Sequence, residues 1–238
     1  MLDIPLIYNK HDQVIIPHFF AMPGSAHFGL PQTKYDDILK RIYLLNKIIS
    51  QIFLDHNLFV KAFETEDHNF ERINQNFYSE LRFKTETLIY WLRKTTDELI
   101  GLQYYLEYYS DNEVEPPSIK MESIGALLNC NCKLLLRHNN SKEFLILLNE
   151  ISNTYKHSFV NYESNFLIGR YEPTVNAIQM KYNKRENHPK LYEEYLRRVV
   201  HGFTKFFNDS IEYLHQLNSE FFNKLKNIEE LKSKDQAS

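Results

Sequence analysis

The run Ser152-Asn153-Thr154-Tyr155-Lys156-His157 brings a hydroxyl, an amide, an ammonium and an imidazole into six consecutive residues. Imidazole titrates near neutrality, so His157 is suited to general acid or base work. Lys156 is suited to holding a phosphate. On a helix, Asn149, Asn153 and His157 recur at i, i+4 and i+8 and form one row, with Ser152 and Lys156 to one side. Asn is a poor helix former. Two of them one turn apart bring no evident benefit to a face that is merely solvated. The competing reading is that any surface helix carries a polar row opposite its core stripe.

The helix that must position this row is predicted over 142–160. Phe144, Leu148, Ile151, Tyr155 and Phe159 mark its core face, and Ser141 is a plausible N-cap. The elements before it are also helical. Ile38, Ile42, Leu45, Ile49, Ile52 and Leu58 predict a helix over 35–63. Phe77, Leu81, Leu88, Trp91, Leu99, Leu102 and Leu106 predict a second over 70–109. On the far side of that second helix, Arg82–Glu86 and Arg93–Asp97 are i, i+4 pairs. The simpler reading is two surface salt bridges, each worth a few tenths of a kcal/mol. The alternative is that Arg93 and Asp97 meet the polar row. Arg93 would then supply a cation, and Asp97 would orient His157.

The segment Asn149-Glu150-Ile151-Ser152-Asn153-Thr154-Tyr155-Lys156-His157-Ser158 resembles the signature helix of HEPN-type domains. That resemblance implies an all-helical, often dimeric fold. In many members it implies metal-independent ribonuclease activity, in toxin–antitoxin, phage-defence or RNA-processing systems. The family motif is an arginine, a polar residue, several intervening residues and a histidine. Asn153 takes the polar position and His157 the histidine, but the arginine position falls on Ser152. Serine cannot replace a guanidinium opposite a phosphate. The resemblance therefore implies the fold more than the activity.

Elsewhere the sequence is less pointed. Pro5, Pro17, Pro23 and Pro31 make residues 1–34 an irregular arm laid over the bundle. A third helix is predicted over 118–136, a β-hairpin over 164–183 around Glu172-Pro173-Thr174, and a long last helix over 190–232 that Gly202 weakens or bends. Leu214, Leu217, Phe221, Ile228 and Leu231 give that helix a partial heptad seam. The fold expected is mainly α: one domain over 1–238, a bundle of about five long helices with an irregular N-terminal arm and one small hairpin.

Cys130 and Cys132 fall inside the predicted third helix. Side chains two apart diverge on a helix, so no disulfide and a cytosolic setting are expected. The start, Met1-Leu2-Asp3-Ile4-Pro5, carries no signal-peptide pattern, and no apolar run is long enough to span a bilayer. A net charge of -3 offers nucleic acid no general attraction, so any contact needs a local basic patch. Tyr104, Tyr105, Tyr108 and Tyr109 suit a core or a protein interface better than a stacking groove. Glu212 and His215 make a single Glu-x-x-His, short of a two-metal site, and Cys130-Asn131-Cys132 lacks the second half of a zinc site. Neither metal nor cofactor is expected.

The function expected is a non-catalytic HEPN-like protein acting through a homodimer or an RNA or protein partner, in bacterial defence or regulation. The alternatives are a ribonuclease using His157 with Asn153, Lys156, Arg93 and Asp97, and a structural helical protein.

Overall fold

A computed structural model describes residues 3–8, 29–65, 77–157, 171–179 and 190–235. Side chains are described within these ranges except at 29–32, 63, 78, 157, 218 and 221–235. The chain is mainly α, with one two-stranded antiparallel hairpin among the described residues. The elements are α1 (Gly29–Glu64), α2 (Phe77–Asn112), α3 (Ile124–Leu128), α4 (Lys133–Arg137), a 3-10 turn (Asn139–Ser141), α5 (Lys142–His157), β1 (Thr174–Gln179), β2 (Lys190–Tyr195) and α6 (Leu196–Asp235).

The helix α1 starts earlier than the sequence pattern predicts, so 29–34 are helical rather than part of an arm. Pro31 fits there because the first-turn N–H groups have no intrahelical partner to lose. Residues 3–8 run over the bundle. The Asn46 side chain accepts from Ile7 N at 2.8 Å and donates to Ile7 O at 3.1 Å, and Asn208 donates to Tyr8 O.

The helices α1 and α2 pack side by side, running in opposite directions. Arg41–Glu98 (2.6 Å) ties one end of the pair and Lys84–Asp55 (2.6 Å) the other. The predicted stripes are largely buried. Two members are not: Leu58 is exposed, and Trp91 lies at the surface beneath the Arg41 guanidinium. The helix α2 also packs against α5 and α6. The core between them includes Leu99, Leu106, Leu148, Phe203 and Phe207.

The single helix predicted over 118–136 is instead two one-turn helices. Ser123 Oγ caps α3 by accepting from Ala126 N, and Asn129 closes it by donating its side-chain amide to Gly125 O. The break holds both cysteines. Cys132 has extended backbone, their Cα atoms lie 5.5 Å apart, and the two are joined as a disulfide. This corrects the expectation of unpaired thiols. Side chains two apart diverge on a regular helix, and here the chain leaves the helix between α3 and α4. The inference of a reducing compartment rested on a helix here and loses that footing. Among the described residues no helix is long and apolar enough to cross a membrane.

The hairpin is displaced from the predicted 164–183. Its strands pair from Thr174↔Tyr195 to Gln179↔Lys190, so β2 takes residues that helical periodicity had assigned to the last helix. Ala177 and Tyr192 are a buried cross-strand pair, and Tyr155 Oη donates to Asn176 O, seating β1 on α5. Glu172-Pro173-Thr174 is not the hairpin turn; Pro173 O accepts from Leu196 N at the start of α6. The first part of the expected hairpin, 164–170, lies outside the described residues. Of the heptad seam, Leu214 and Leu217 are buried, and the side chains beyond lie outside the description.

Gly202 does not interrupt α6. A Cβ there would sit 2.5 Å from Phe144 Cδ2 and 2.9 Å from its Cγ. The glycine is thus where the Phe144 ring lies directly on the α6 backbone. Gly202→Ala gains up to about 1 kcal/mol in helix propensity but forces the ring aside, and overpacking of this kind costs about 1–3 kcal/mol. A net loss of stability is expected in urea unfolding, relieved when Phe144→Leu is added. A stabilised single variant would show that the ring moves away freely.

Candidate functional site

The structure brings three of the five predicted site residues, Arg93, Asp97 and Asn153, together between α2 and α5. Arg93 Nη1 donates to Asn153 Oδ1 at 2.5 Å, and Asn153 Nδ2 reaches Asn149 Oδ1 at 3.4 Å. Arg93 Nε lies 3.5 Å from Asp97 Oδ2, and the second carboxylate oxygen of Asp97 accepts from Ile124 N at 2.8 Å. Lys156 is exposed, with its ammonium 5.9 Å from the centre of the Tyr90 ring. His157 closes α5, and its imidazole lies outside the described residues.

Asn149 and Asn153 therefore line an inter-helix seam rather than a solvated face. Asn149 and Asn153 are half-buried, and the Arg93 side chain is only 12% exposed. Helical register explains why. Ile89 and Ile100 share this sector of α2 and are fully buried, so the sector faces another element. The two i, i+4 pairs on α2 consequently differ. Arg82–Glu86 (2.7 Å) is a half-buried pair on one helix, whereas Arg93 reaches across to a second.

Ser152 does not stand beside the row. It is 2% exposed and turned inward, and its neighbour Thr154 is also buried, donating to Glu150 O. A guanidinium built at position 152 would enter the core. Ser141 likewise does not cap α5: it belongs to the 3-10 turn, and its Oγ is buried without a hydrogen-bond partner.

Burial raises the Asp97 pKa above the ordinary carboxylate value. The Ile124 N–H, Arg93 and Lys156 oppose that rise. Arg93, Asp97 and Lys156 together leave one net positive charge, enough to attract a single phosphate but too little for an extended anionic strand. Arg93 Nε has no hydrogen-bond acceptor beyond its longer ionic contact with Asp97. Among the described residues no group of His, Cys, Asp and Glu side chains is arranged to hold a metal ion.

His138 is a buried titratable residue that escaped the sequence reading. It is fully buried in the turn before α5, beside Phe206, with Nε2 2.6 Å from Gln103 Oε1. A carbonyl oxygen only accepts, so Nε2 carries the proton and Nδ1 is bare. Arg137-His138-Asn139-Asn140 reads as a polar turn, and nothing in its composition signals burial. Comparison with protein-family models, curated proteins and solved structures finds no match for this chain.

Two outcomes follow from this geometry. Burial, with Arg137 nearby, lowers the His138 pKa from 6.5 to about 4. The unfolded chain then binds more protons between these values, so stability falls as pH drops from 6.5 towards 4, by up to roughly 3 kcal/mol. Thermal melts across that range should show the loss, and His138→Gln should lack this component. Removing Arg93 strands a carbonyl and a half-buried carboxylate, so Arg93→Ala is expected to cost about 2–3 kcal/mol. A double-mutant cycle with Asn153→Ala should give a coupling of about 1 kcal/mol or more; additive effects would show that the contact contributes nothing.

Proposed function

We propose that this chain is a non-catalytic HEPN-like helical protein that acts by associating with a second copy of itself. The observation that carries the reading is the engagement of Arg93. The guanidinium beside Asn153 is sequestered, held by an amide on one side and a carboxylate on the other. A cation that must grip a scissile phosphate has to exchange partners readily, and a half-buried, hydrogen-bonded one resists that. The inward direction of Ser152 adds support, because the position where the family carries its arginine has no access to a substrate here.

The outer face of α1 suits association. Tyr43, Leu44, Leu54 and Leu58 are 45%, 55%, 46% and 56% exposed. At 100° per residue they fall within an arc of roughly 100°, opposite the core stripe. Exposed apolar side chains gathered in this way are typical of protein interfaces. Lys47, between the two apolar ends of the face, lies over the Tyr43 ring and leaves the leucines uncovered.

A second reading, ribonuclease activity, is favoured by one observation: Arg93 touches Asn153 and so returns a cation to the row that Ser152 cannot supply. In that case Asn153, Lys156 and Arg93 would hold the phosphate and His157 would move the proton.

Labelled RNA incubated with the purified protein in chelator should remain intact, both for the natural sequence and for His157→Ala. Cleavage that disappears in the variant would overturn the non-catalytic reading. Light scattering should give a dimer mass that drops to the monomer value in Leu54→Glu/Leu58→Glu. A strict monomer throughout would remove the association.

A further inference from the structure

Cys130 and Cys132 lie in the break between α3 and α4, apart from the residues of the polar seam. They are the chain's two cysteines, joined to each other at a sequence separation of 2.

A disulfide that holds a fold together joins stretches of chain that would otherwise separate. What it contributes grows with the loop it closes. This one closes a ring around Asn131 alone and tethers no distant element. The helix ends beside it are not waiting for it either. Ser123 and Asn129 already close α3, and Cys132 makes no side-chain capping bond to α4. Among disulfides, one with so short a loop stabilises a fold least.

What the pair does have is access. Both cysteines are half-buried, and Asn131 between them is exposed. Cys132 also lines a cavity of about 260 Å³, with Tyr104 and Tyr108 of α2 and Lys133 and Leu134 of α4 among its other walls. That volume is slightly below the range of drug-sized sites and leaves room for a small thiol. Exchange of a disulfide begins with a thiolate reaching one sulfur, and reachable disulfides are the labile ones. Cys130 does not line this cavity, so the two sulfurs are not equivalent to a molecule that enters it.

We propose that Cys130–Cys132 is a reversible two-electron redox site, which a small dithiol reduces by entering the cavity and attacking Cys132. The thiolate of the dithiol bonds to Cys132 Sγ. The bond between Cys132 and Cys130 breaks, and its electron pair leaves on Cys130 Sγ, which takes up a proton. The second thiolate of the reductant then attacks the reductant's own sulfur in the mixed disulfide and releases Cys132, which is protonated in turn. The dithiol ends as a cyclic disulfide, and its two protons are balanced by those on the two cysteines. A small disulfide runs the sequence backwards.

Dithiothreitol added to the folded full chain, without denaturant, is expected to yield two thiols, counted by alkylation and intact mass. Removing it and adding 2-hydroxyethyl disulfide should restore the bond. Melting temperatures of the oxidised and reduced forms should lie within about 5 °C of each other, because the loop is so short. Entry at Cys132 is read from single variants, checked for folding by circular dichroism. Cys130→Ser, which keeps Cys132, should form a mixed disulfide with 2-hydroxyethyl disulfide about tenfold faster than Cys132→Ser. The proposal fails if the pair is reduced only once urea unfolds the chain, or if reduction lowers the melting temperature well beyond that margin, as loss of a structural staple would. Equal labelling of the two variants would remove Cys132 as the point of entry.

Discussion

A helix covered by three others has little water left to satisfy its polar groups. That constraint shapes this protein. The helix α2 packs against α1, α5 and α6, so polar side chains along it must find partners on other elements. Glu98 is met by Arg41 from α1, Arg93 by Asn153 from α5, Gln103 by His138 from the turn before α5, and Asp97 by the N–H of Ile124 at the start of α3. Each contact joins α2 to a different piece of the chain. Together they set where those pieces sit in a way that apolar burial, which has no direction, does not.

The same constraint decides what the polar seam can do. Residues with catalytic potential are present, but the cation among them is already occupied. Arg93 is shared between an amide and a carboxylate at low exposure, and that carboxylate is itself fixed by a backbone N–H. Such a unit holds two helices in register whether or not a substrate ever arrives.

How far the sequence could be read depended on the range of the forces involved. Helices with long apolar stripes were legible, as in α1 and α2, because periodicity is local and repeats many times. The break at 129–132 was not, since a Ser N-cap and an Asn C-cap act over one turn and are outweighed in a pattern by the leucines around them. The strand β2 was read as the start of the last helix; only pairing with β1 makes it strand. The Arg93–Asn153 contact was stated as a spatial alternative that spacing alone could not decide. Leu58 was grouped with the α1 stripe, yet at 100° per residue it falls on the opposite side of the helix, and Trp91 reaches the surface beneath Arg41.

Amino-acid order by itself determined that this chain is mainly helical, which residues carry reactive groups, and that position 152 holds no guanidinium. These follow from side-chain type and from a period of 3.6 residues, both local properties. Tertiary structure alone decided that Asn149 and Asn153 of α5 line a seam rather than a surface, that Ser152 points inward, that His138 is buried, and that Gly202 seats a ring. Those outcomes depend on which helix lies opposite which. That is set by the summed burial of the whole core, and no single stretch of residues contains it.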